Sequence, residues 1–186
     1  MNETSKSAFI REFCHGSYLI GRGIDIGAGD DPLKVNRGTV NAWDKEDGDA
    51  QYMAGVPDRS YNFVYSSHCL EHMVDIDVAL ENWTRILKPL GYLYIVVPDY
   101  QLYEQMRWPS IHNPDHKHNF SLSLPREKVG RDNHHSMMQF VKWTTDFRLV
   151  LIDSSLQDQG YDYNVGPCDQ TLGNALAQIC LIFRKR

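Results

Sequence analysis

The sequence predicts an α/β fold with a doubly wound, mostly parallel sheet and helices on both of its faces. Two observations carry this prediction: strand-like apolar runs alternate with amphipathic helical stretches, and residues 92–97 are almost entirely apolar. Alternating strands and helices are typical of right-handed crossovers in a layered α/β domain. A continuous apolar run is typical of a strand that is covered on both faces.

The elements follow one another in the order that such a fold requires. Residues 4–15 predict a short amphipathic helix, and residues 76–87 predict a longer one because their apolar side chains recur at helical spacing. Pro89 ends that helix, and Gly91 leads the chain into the apolar strand. The strand-like runs that come before it are residues 22–26, 39–43 and 61–65.

Residues 98–135 interrupt this alternation. They are rich in proline, histidine, asparagine and aromatic residues, and they predict an irregular insertion. Long loops inside a domain are usually functional or disordered, and the aromatic residues here favour an ordered lid over a substrate site. Regular structure resumes with a helix at 136–144 and strands at 147–152 and 178–183.

Composition limits the kinds of partner. The chain has 186 residues, which fits a single domain over residues 1–186. Its net charge of −5 argues against a dominant nucleic-acid interface. No apolar run approaches the roughly 20 residues that span a bilayer, so we expect no membrane partner. The first residues show no basic cap followed by an apolar segment, so we expect no secretory signal. The four cysteines are too scattered for a disulfide framework. A cytoplasmic protein is therefore expected; the sequence does not indicate an oligomeric state.

A glycine-containing turn directly follows the first strand-like run. Residues 23–30 read Gly-Ile-Asp-Ile-Gly-Ala-Gly-Asp, and glycine lets the backbone pass close to a ligand because no Cβ is in the way. Asp44 ends the second run, 17 positions after Gly27, where an acidic side chain can accept hydrogen bonds from ribose hydroxyls. A tight turn and a solvated aspartate are the alternatives for each feature alone. Together they predict nucleoside-cofactor binding.

Three segments in this order resemble class I S-adenosylmethionine-dependent methyltransferases. Residues 23–33 resemble the first motif of that family, residues 48–75 the stretch from its third strand through its fourth, and residues 86–99 the following helix and fifth strand. The resemblance is continuous from Gly23 to Asp99 and looser over the last two strands. It implies a Rossmann-like, seven-stranded sheet with the insertion after the fifth strand. It also implies S-adenosylmethionine as the cofactor, in a type 11-like small-molecule subgroup.

The resemblance implies roles for residues of the first motif. Gly27, Ala28 and Gly29 should pack against the methionine part and the ribose of the cofactor. Asp25 should help to orient the amino group of the cofactor, partly through water. The third glycine of the motif is replaced by Asp30, a departure that many relatives tolerate.

Further cofactor contacts are implied after the second strand. Asp44 should hold the ribose hydroxyls, and Lys45 should lie beside it near the adenine. Asp49 corresponds to the residue that accepts a hydrogen bond from the adenine amino group, with Ala50 next to it.

The end of the fourth strand carries the last implied cofactor residues. Ser66 and His68 lie where the backbone usually contacts the methionyl group. Glu71 and His72 follow, either as an element beneath the cofactor or as a helix cap, and we do not expect His72 to be catalytic.

The insertion contains the most distinctive pattern, Asn-Pro-Asp-His-Lys-His at residues 113–118. It resembles a pattern of uncharacterised bacterial and phage-associated methyltransferases, which implies a subgroup rather than a substrate. Because an alcohol acceptor benefits from a base and histidine has a suitable pKa, His116 is the preferred base, oriented by Asp115. His118 is the second candidate. The alternative is that these histidines only tie down the loop.

Other chemistries explain fewer of these features. The insertion also offers metal ligands, but no recognised zinc spacing is present, and we expect no metal. Some methyltransferases use magnesium to bind sugar or catechol hydroxyls, so a metal is the less favoured alternative. The donors that the insertion offers are His112, His116, His118, His134, His135 and Asp115. A metallohydrolase leaves the glycine turn, Asp44 and Asp49 without a joint explanation. A nicotinamide-dependent oxidoreductase would share the glycine turn, but no hydride-transfer site is evident. A non-catalytic cofactor-binding protein is the remaining alternative.

We therefore expect methyl transfer from S-adenosylmethionine to an oxygen of a small polar acceptor, such as a sugar-like molecule. Nucleic-acid targets are disfavoured by charge. They are also disfavoured because Ser-Ser-His-Cys at residues 66–69 stands where an Asn/Asp-Pro-Pro-Tyr/Phe motif would be expected.

Overall fold

A computed structural model describes residues 3–130 and 133–186. Over these residues the main sheet has six strands in the order β2-β1-β3-β4-β8-β7, and β5 and β6 form a separate parallel pair. The strands are β1 (Gly21–Ile26), β2 (Gly38–Trp43), β3 (Tyr61–Ser67), β4 (Leu87–Pro98), β5 (Asn119–Ser121), β6 (His134–Ser136), β7 (Leu149–Gln157) and β8 (Gln178–Lys185). Only β8 runs antiparallel to its neighbours in the main sheet. The expected mostly parallel α/β sheet is therefore confirmed.

Over the described residues the main sheet has six strands, so the seventh strand that the resemblance implies is not shown. The segment that the resemblance assigned to the third strand folds as turns around residues 50–55. Met53 has a φ of 46° and Gly55 a φ of 83°, both far from the φ near −120° of a parallel strand. Met53 is fully buried in the core instead, so β2 becomes the edge of the sheet.

Helical segments cover both faces of the sheet. In chain order the described segments are α1 (Glu3–Lys6), α2 (Ala8–Ile10), a π-helical turn (Arg11–His15), a 3-10 turn (Leu70–His72), α3 (Ile76–Ile86), α4 (Arg126–Val129), α5 (Met137–Asp146) and a second 3-10 turn (Gln170–Leu172). Asp75 caps α3, because its carboxylate accepts hydrogen bonds from two backbone amides of the first turn. This matches the helix predicted at 76–87.

The two longer helices share one face, and the amino-terminal segment covers the other. Trp83 of α3 and Trp143 of α5 are fully buried in one cluster with the strands. On the opposite face the Arg11 guanidinium lies 5.3 Å from the centre of the Tyr65 ring. No helix within residues 3–130 and 133–186 is long and apolar enough to cross a membrane. The cytoplasmic location stays a prediction.

The insertion lies along the carboxyl edge of the sheet. Its β5 continues from the end of β4 through a bridge between Asp99 and Phe120. The amides of Lys117 and His118 donate to the carbonyl of Glu71 at 2.8 and 3.2 Å. These contacts hold the insertion against the 3-10 turn that follows β3.

Candidate functional site

The carboxyl ends of β1, β2 and β3 border a cavity of about 650 Å³. Ligands of open α/β sheets bind at this edge, and the volume suits a small-molecule site. The lining residues are Gly27, Asp44, Lys45, Gly48, Asp49, Ala50, His68, Cys69, His72, Met73, Asp115 and Lys117. Seven of these were expected in the site from the sequence: Gly27, Asp44, Lys45, Asp49, Ala50, His68 and Asp115. We call this space the main cavity.

The glycine turn forms one wall of the main cavity. Gly27 has a φ of 78°, and a Cβ there would lie 2.7 Å from the Cβ of Cys69. Its amide donates to the carbonyl of Trp43 at 2.9 Å. The position therefore requires glycine on two grounds, the left-handed backbone and the close approach of Cys69.

Two carboxylates lie along the β2 side of the main cavity. Asp44 Oδ2 accepts the amide of Gly29 at 2.9 Å, and its Oδ1 accepts the amide of Lys45 at 2.7 Å. Asp49 is exposed, and its Oδ1 accepts the amide of Gln51 at 2.8 Å. Both carboxylates are thus oriented by the backbone before any ligand binds.

Four of the expected cofactor residues do not line the main cavity. Asp25 is buried and its Oδ2 accepts the amide of Leu33 at 2.7 Å, which orders the loop after β1. Burial raises the pKa of Asp25 to about 7. Ser66 is also buried and donates its hydroxyl to the carbonyl of Ile26 at 3.0 Å. Of the remaining two, Ala28 is buried and Gly29 is exposed, and the Gly29 amide donates to the cavity-lining Asp44.

His116 lies in a smaller space next to the main cavity. This space of about 120 Å³ also has His68, Glu71, His72 and Tyr103 in its walls, so two histidines are shared with the main cavity. We call it the side cavity.

Glu104, and not Asp115, orients His116. His116 Nδ1 lies 2.6 Å from Glu104 Oε1, and both side chains are buried. The carbonyl of Asp115 instead pairs with Nδ1 of His72 at 3.3 Å. Sequence reasoning missed Glu104 because no motif surrounds it.

His118 lies away from both cavities. Its Nδ1 is 3.0 Å from Nε2 of His135, and the ring of His135 stacks on Phe120 with centres 5.2 Å apart. Burial lowers the pKa of His135 to about 3. This pair links the residue before β5 to β6.

Comparisons with known proteins agree with this fold. A family model described as a methyltransferase domain matches residues 17–128, well over half of the chain. A search of curated proteins gives no match to this sequence.

Solved structures with the same fold cover nearly the whole chain. A protein assigned as an S-adenosylmethionine dependent methyltransferase from Listeria monocytogenes has a TM-score of 0.59 at 12% identity, covering 100% of this chain and 99% of that one. The YcgJ protein from Bacillus subtilis has a TM-score of 0.58 at 13% identity, with 98% of each chain covered. A SAM-dependent methyltransferase from Thermotoga maritima has a TM-score of 0.55 at 18% identity, covering 98% and 91%.

These identities show a shared Rossmann-like fold, and the family match adds the class of activity. The glycine turn and the Asp44 carboxylate meet in the main cavity, as a nucleoside cofactor requires. The chain therefore belongs to the methyltransferase domain family and is an S-adenosylmethionine-dependent methyltransferase.

Proposed function

We propose that the protein methylates an oxygen of a small polar acceptor, such as a sugar-like molecule, with S-adenosylmethionine bound in the main cavity. The proposal treats residues 1–186 as one domain, with residues 98–135 as the lid over the acceptor. The observation that carries it is the meeting of Gly27, Asp44 and Asp49 in one cavity at the carboxyl edge of the sheet. When bound, the cofactor supplies an electrophilic methyl group on a sulfonium.

The residues present fit this cofactor. Asp44 offers carboxylate oxygens, already held by two backbone amides, to the ribose hydroxyls. Asp49 and Ala50 border the same cavity where the adenine would lie, with Lys45 beside it. The absence of a Cβ at Gly27 leaves the backbone free for close contact with the methionine part.

The other expected cofactor residues act from behind this surface in our proposal. Asp25 and Ser66 brace the loop after β1 and the end of β3. Ala28 and Gly29 shape the turn after β1. His68 lines the main cavity, where we place the methionyl group beside it.

The acceptor side of the main cavity is polar and comes from the insertion. Asp115 and Lys117 line it, and Lys117 Nζ donates to the carbonyl of His72 at 2.7 Å. Hydroxyl groups of a small acceptor suit such a wall, because both charged and hydrogen-bonding partners are at hand. The net charge of −5 disfavours a nucleic acid as the acceptor.

Of the two candidate bases, we favour His116 over His118. His116 faces the side cavity, and Glu104 fixes its ring through Nδ1, so Nε2 is oriented toward the space next to the main cavity. His118 is engaged with His135 instead.

The test is an acceptor screen with methyl-labelled S-adenosylmethionine. Sugars and other polyhydroxylated small molecules form one arm, and single- and double-stranded oligonucleotides form the other. We expect label in a small acceptor and a methoxy signal in its NMR spectrum. Label that appears in oligonucleotides, or on a nitrogen or carbon of the acceptor, would overturn the proposal.

A matched pair of variants tests the base. His116→Gln should lower turnover while cofactor affinity stays unchanged, and His118→Gln should affect turnover less. Equal turnover in His116→Gln and the parent protein would remove His116 as the base.

A further inference from the structure

Glu71 is a buried carboxylate without a close hydrogen bond to any described residue. Its side chain is fully buried, and within residues 3–130 and 133–186 no donor makes a close hydrogen bond to Oε1 or Oε2. An unpaired buried carboxylate is strongly unfavourable. Three histidine nitrogens surround Oε1 instead, at 3.5 Å from His68, 4.0 Å from His72 and 3.9 Å from His116.

Two of these histidines direct a nitrogen lone pair at Glu71. His116 Nδ1 is 2.6 Å from the Glu104 carboxylate, and His72 Nδ1 is 3.3 Å from the carbonyl of Asp115. The carbonyl of Asp115 and the ionised carboxylate of Glu104 can only accept hydrogen bonds. Each Nδ1 therefore carries the proton. In the neutral ring Nε2 then has a free lone pair, and it is Nε2 of each ring that faces Glu71.

His68 is the third histidine beside Glu71, but it approaches the carboxylate as a donor. Its Nε2 lies 2.9 Å from Oε1 of Gln178, and its Nδ1 lies 3.5 Å from Oε1 of Glu71. Burial lowers the pKa of His68, but the long contact with the Glu71 carboxylate, together with the hydrogen bond to Gln178, outweighs burial and raises it. His68 therefore contributes no lone pair to the space between Glu71, His72 and His116.

The lone pairs of His72 and His116 and the Glu71 carboxylate repel one another unless a cation lies between them. Histidines that bind a metal typically donate their other ring nitrogen to a carboxylate or a carbonyl, as His72 and His116 do. One ligand atom each from Glu71, His72 and His116 lie within 4.8 Å of one another. Bonds of about 2.0–2.1 Å to zinc give tetrahedral ligand spacings of roughly 3.4 Å. The two distances from Glu71 would contract by about half an ångström, and the distance between the two histidine nitrogens by at most about 1.4 Å, to close the site.

We propose that Glu71, His72 and His116 bind a divalent transition metal of the zinc type. Imidazole nitrogens with one carboxylate suit Zn²⁺ and its neighbours, whereas Mg²⁺ prefers oxygen ligands. The metal links the turn after β3 to the insertion, because His116 comes from the insertion and the other two ligands are Glu71 and His72.

The site faces both cavities. His68 and His72 line the main cavity as well as the side cavity. A metal here would polarise an acceptor hydroxyl that reached it. His116 Nε2 would then act as the base proposed above only in the metal-free protein, because in the metal-bound protein it is a ligand. The existence of the site does not depend on the proposed acceptor.

This inference departs from the sequence expectation of no metal. That expectation rested on the absence of zinc spacing within the insertion. Only His116 among the donors considered there belongs to the cluster; the rest of the set lies about 45 positions earlier, on the turn after β3.

The test is metal binding by the intact protein without cofactor, so its outcome is independent of methyl transfer. Chelator-treated protein is titrated with Zn²⁺ by calorimetry, and Co²⁺ is added separately to record its visible spectrum. We expect one equivalent of Zn²⁺, a rise in melting temperature on binding, and the intense absorption of tetrahedral Co²⁺. Failure to bind a stoichiometric equivalent would overturn the proposal.

Variants distinguish this site from adventitious binding. His72→Gln is suited to the test because the His72 side chain is 31% exposed and its loss should leave the fold intact. We expect it to weaken Zn²⁺ binding by at least about tenfold, while His118→Gln, outside the cluster, binds as the parent does. Equal Zn²⁺ affinity in both variants would overturn the proposal.

Discussion

The amide of Gly29 donates a hydrogen bond of 2.9 Å to Oδ2 of Asp44. This bond ties the glycine turn after β1 to the end of β2, at the edge of the sheet where the main cavity opens. The bond holds Oδ2 of Asp44 in place, and the amide of Lys45 holds Oδ1. The two features that predicted a nucleoside cofactor are therefore one connected structure.

Replacement of Asp44 should weaken cofactor binding. Asp44→Ala removes the carboxylate that we place on the ribose hydroxyls, and the loss of such hydrogen bonds in a partly buried site costs about 1–3 kcal/mol. Calorimetric titration with S-adenosylmethionine measures this loss of binding free energy. Glu46→Ala is the control, since Glu46 is an exposed acid of the same turn that does not line the cavity. Equal affinity in the two variants would refute the placement of the ribose.

Two glycine substitutions separate backbone strain from steric exclusion. Gly27 and Gly55 have similar φ values of 78° and 83°. A Cβ at Gly55 would meet nothing within 4 Å, whereas one at Gly27 would meet Cys69 at 2.7 Å. Gly55→Ala should cost about 1–2 kcal/mol of unfolding free energy from the left-handed backbone alone. Gly27→Ala should lower the free energy of unfolding, measured with denaturant, by clearly more than Gly55→Ala does. Similar losses in the two variants would show that the Cys69 side chain moves aside without a loss of stability.

Asp25 should make the protein less stable as pH rises from about 4 to about 7. Burial raises its pKa to about 7, and the amide of Leu33 opposes the rise. Arg11 lowers the pKa further, whereas the nearby carboxylates Asp31 and Asp44 raise it. Below pH 4 the carboxyl is protonated in both the folded and the unfolded states. Between pH 4 and 7 only the unfolded chain ionises, which favours unfolding.

The matching variant is Asp25→Asn, which keeps an oxygen for Leu33 and does not titrate. Three pKa units correspond to about 4 kcal/mol, so the variant should gain up to that amount over the parent between pH 4 and 7. Urea unfolding of both proteins at several pH values measures the difference. A difference that does not change with pH would contradict the raised pKa of Asp25.

His135 should make the protein less stable as pH falls, whereas Asp25 makes it less stable as pH rises. Burial, aided by the neighbouring His118 and His134, lowers its pKa to about 3. As pH falls from about 6.5 toward 3, the unfolded chain takes up a proton at this position and the folded protein does not, so stability is lost. His135→Gln should flatten the unfolding free energy over that range. An unchanged acid profile would show that the folded protein readily protonates His135.

The features that could be predicted from the sequence are those set by local pattern. The spacing of apolar residues predicted α3 within one residue, and the apolar run at 92–97 lies within β4. The glycine turn and Asp44 together predicted a nucleoside cofactor, and Gly27 and Asp44 line the same cavity.

Other features depend on contacts between distant segments. The segment around residues 50–55 folds as turns rather than as the third strand that the resemblance implies. This conformation buries Met53 in the core, which an extended strand in that segment would not do. The pairing of Glu104 with His116 and the histidines around Glu71 join the insertion to the turn after β3. Sequence spacing holds no signal for such contacts, because the loop path between them is irregular.

The most direct test of the account is calorimetric titration of the purified protein with S-adenosylmethionine, S-adenosylhomocysteine and NAD. The account predicts micromolar binding of the first two, with one site per chain, and no binding of NAD. Binding of NAD alone, or no binding of S-adenosylmethionine by a folded protein, would contradict it.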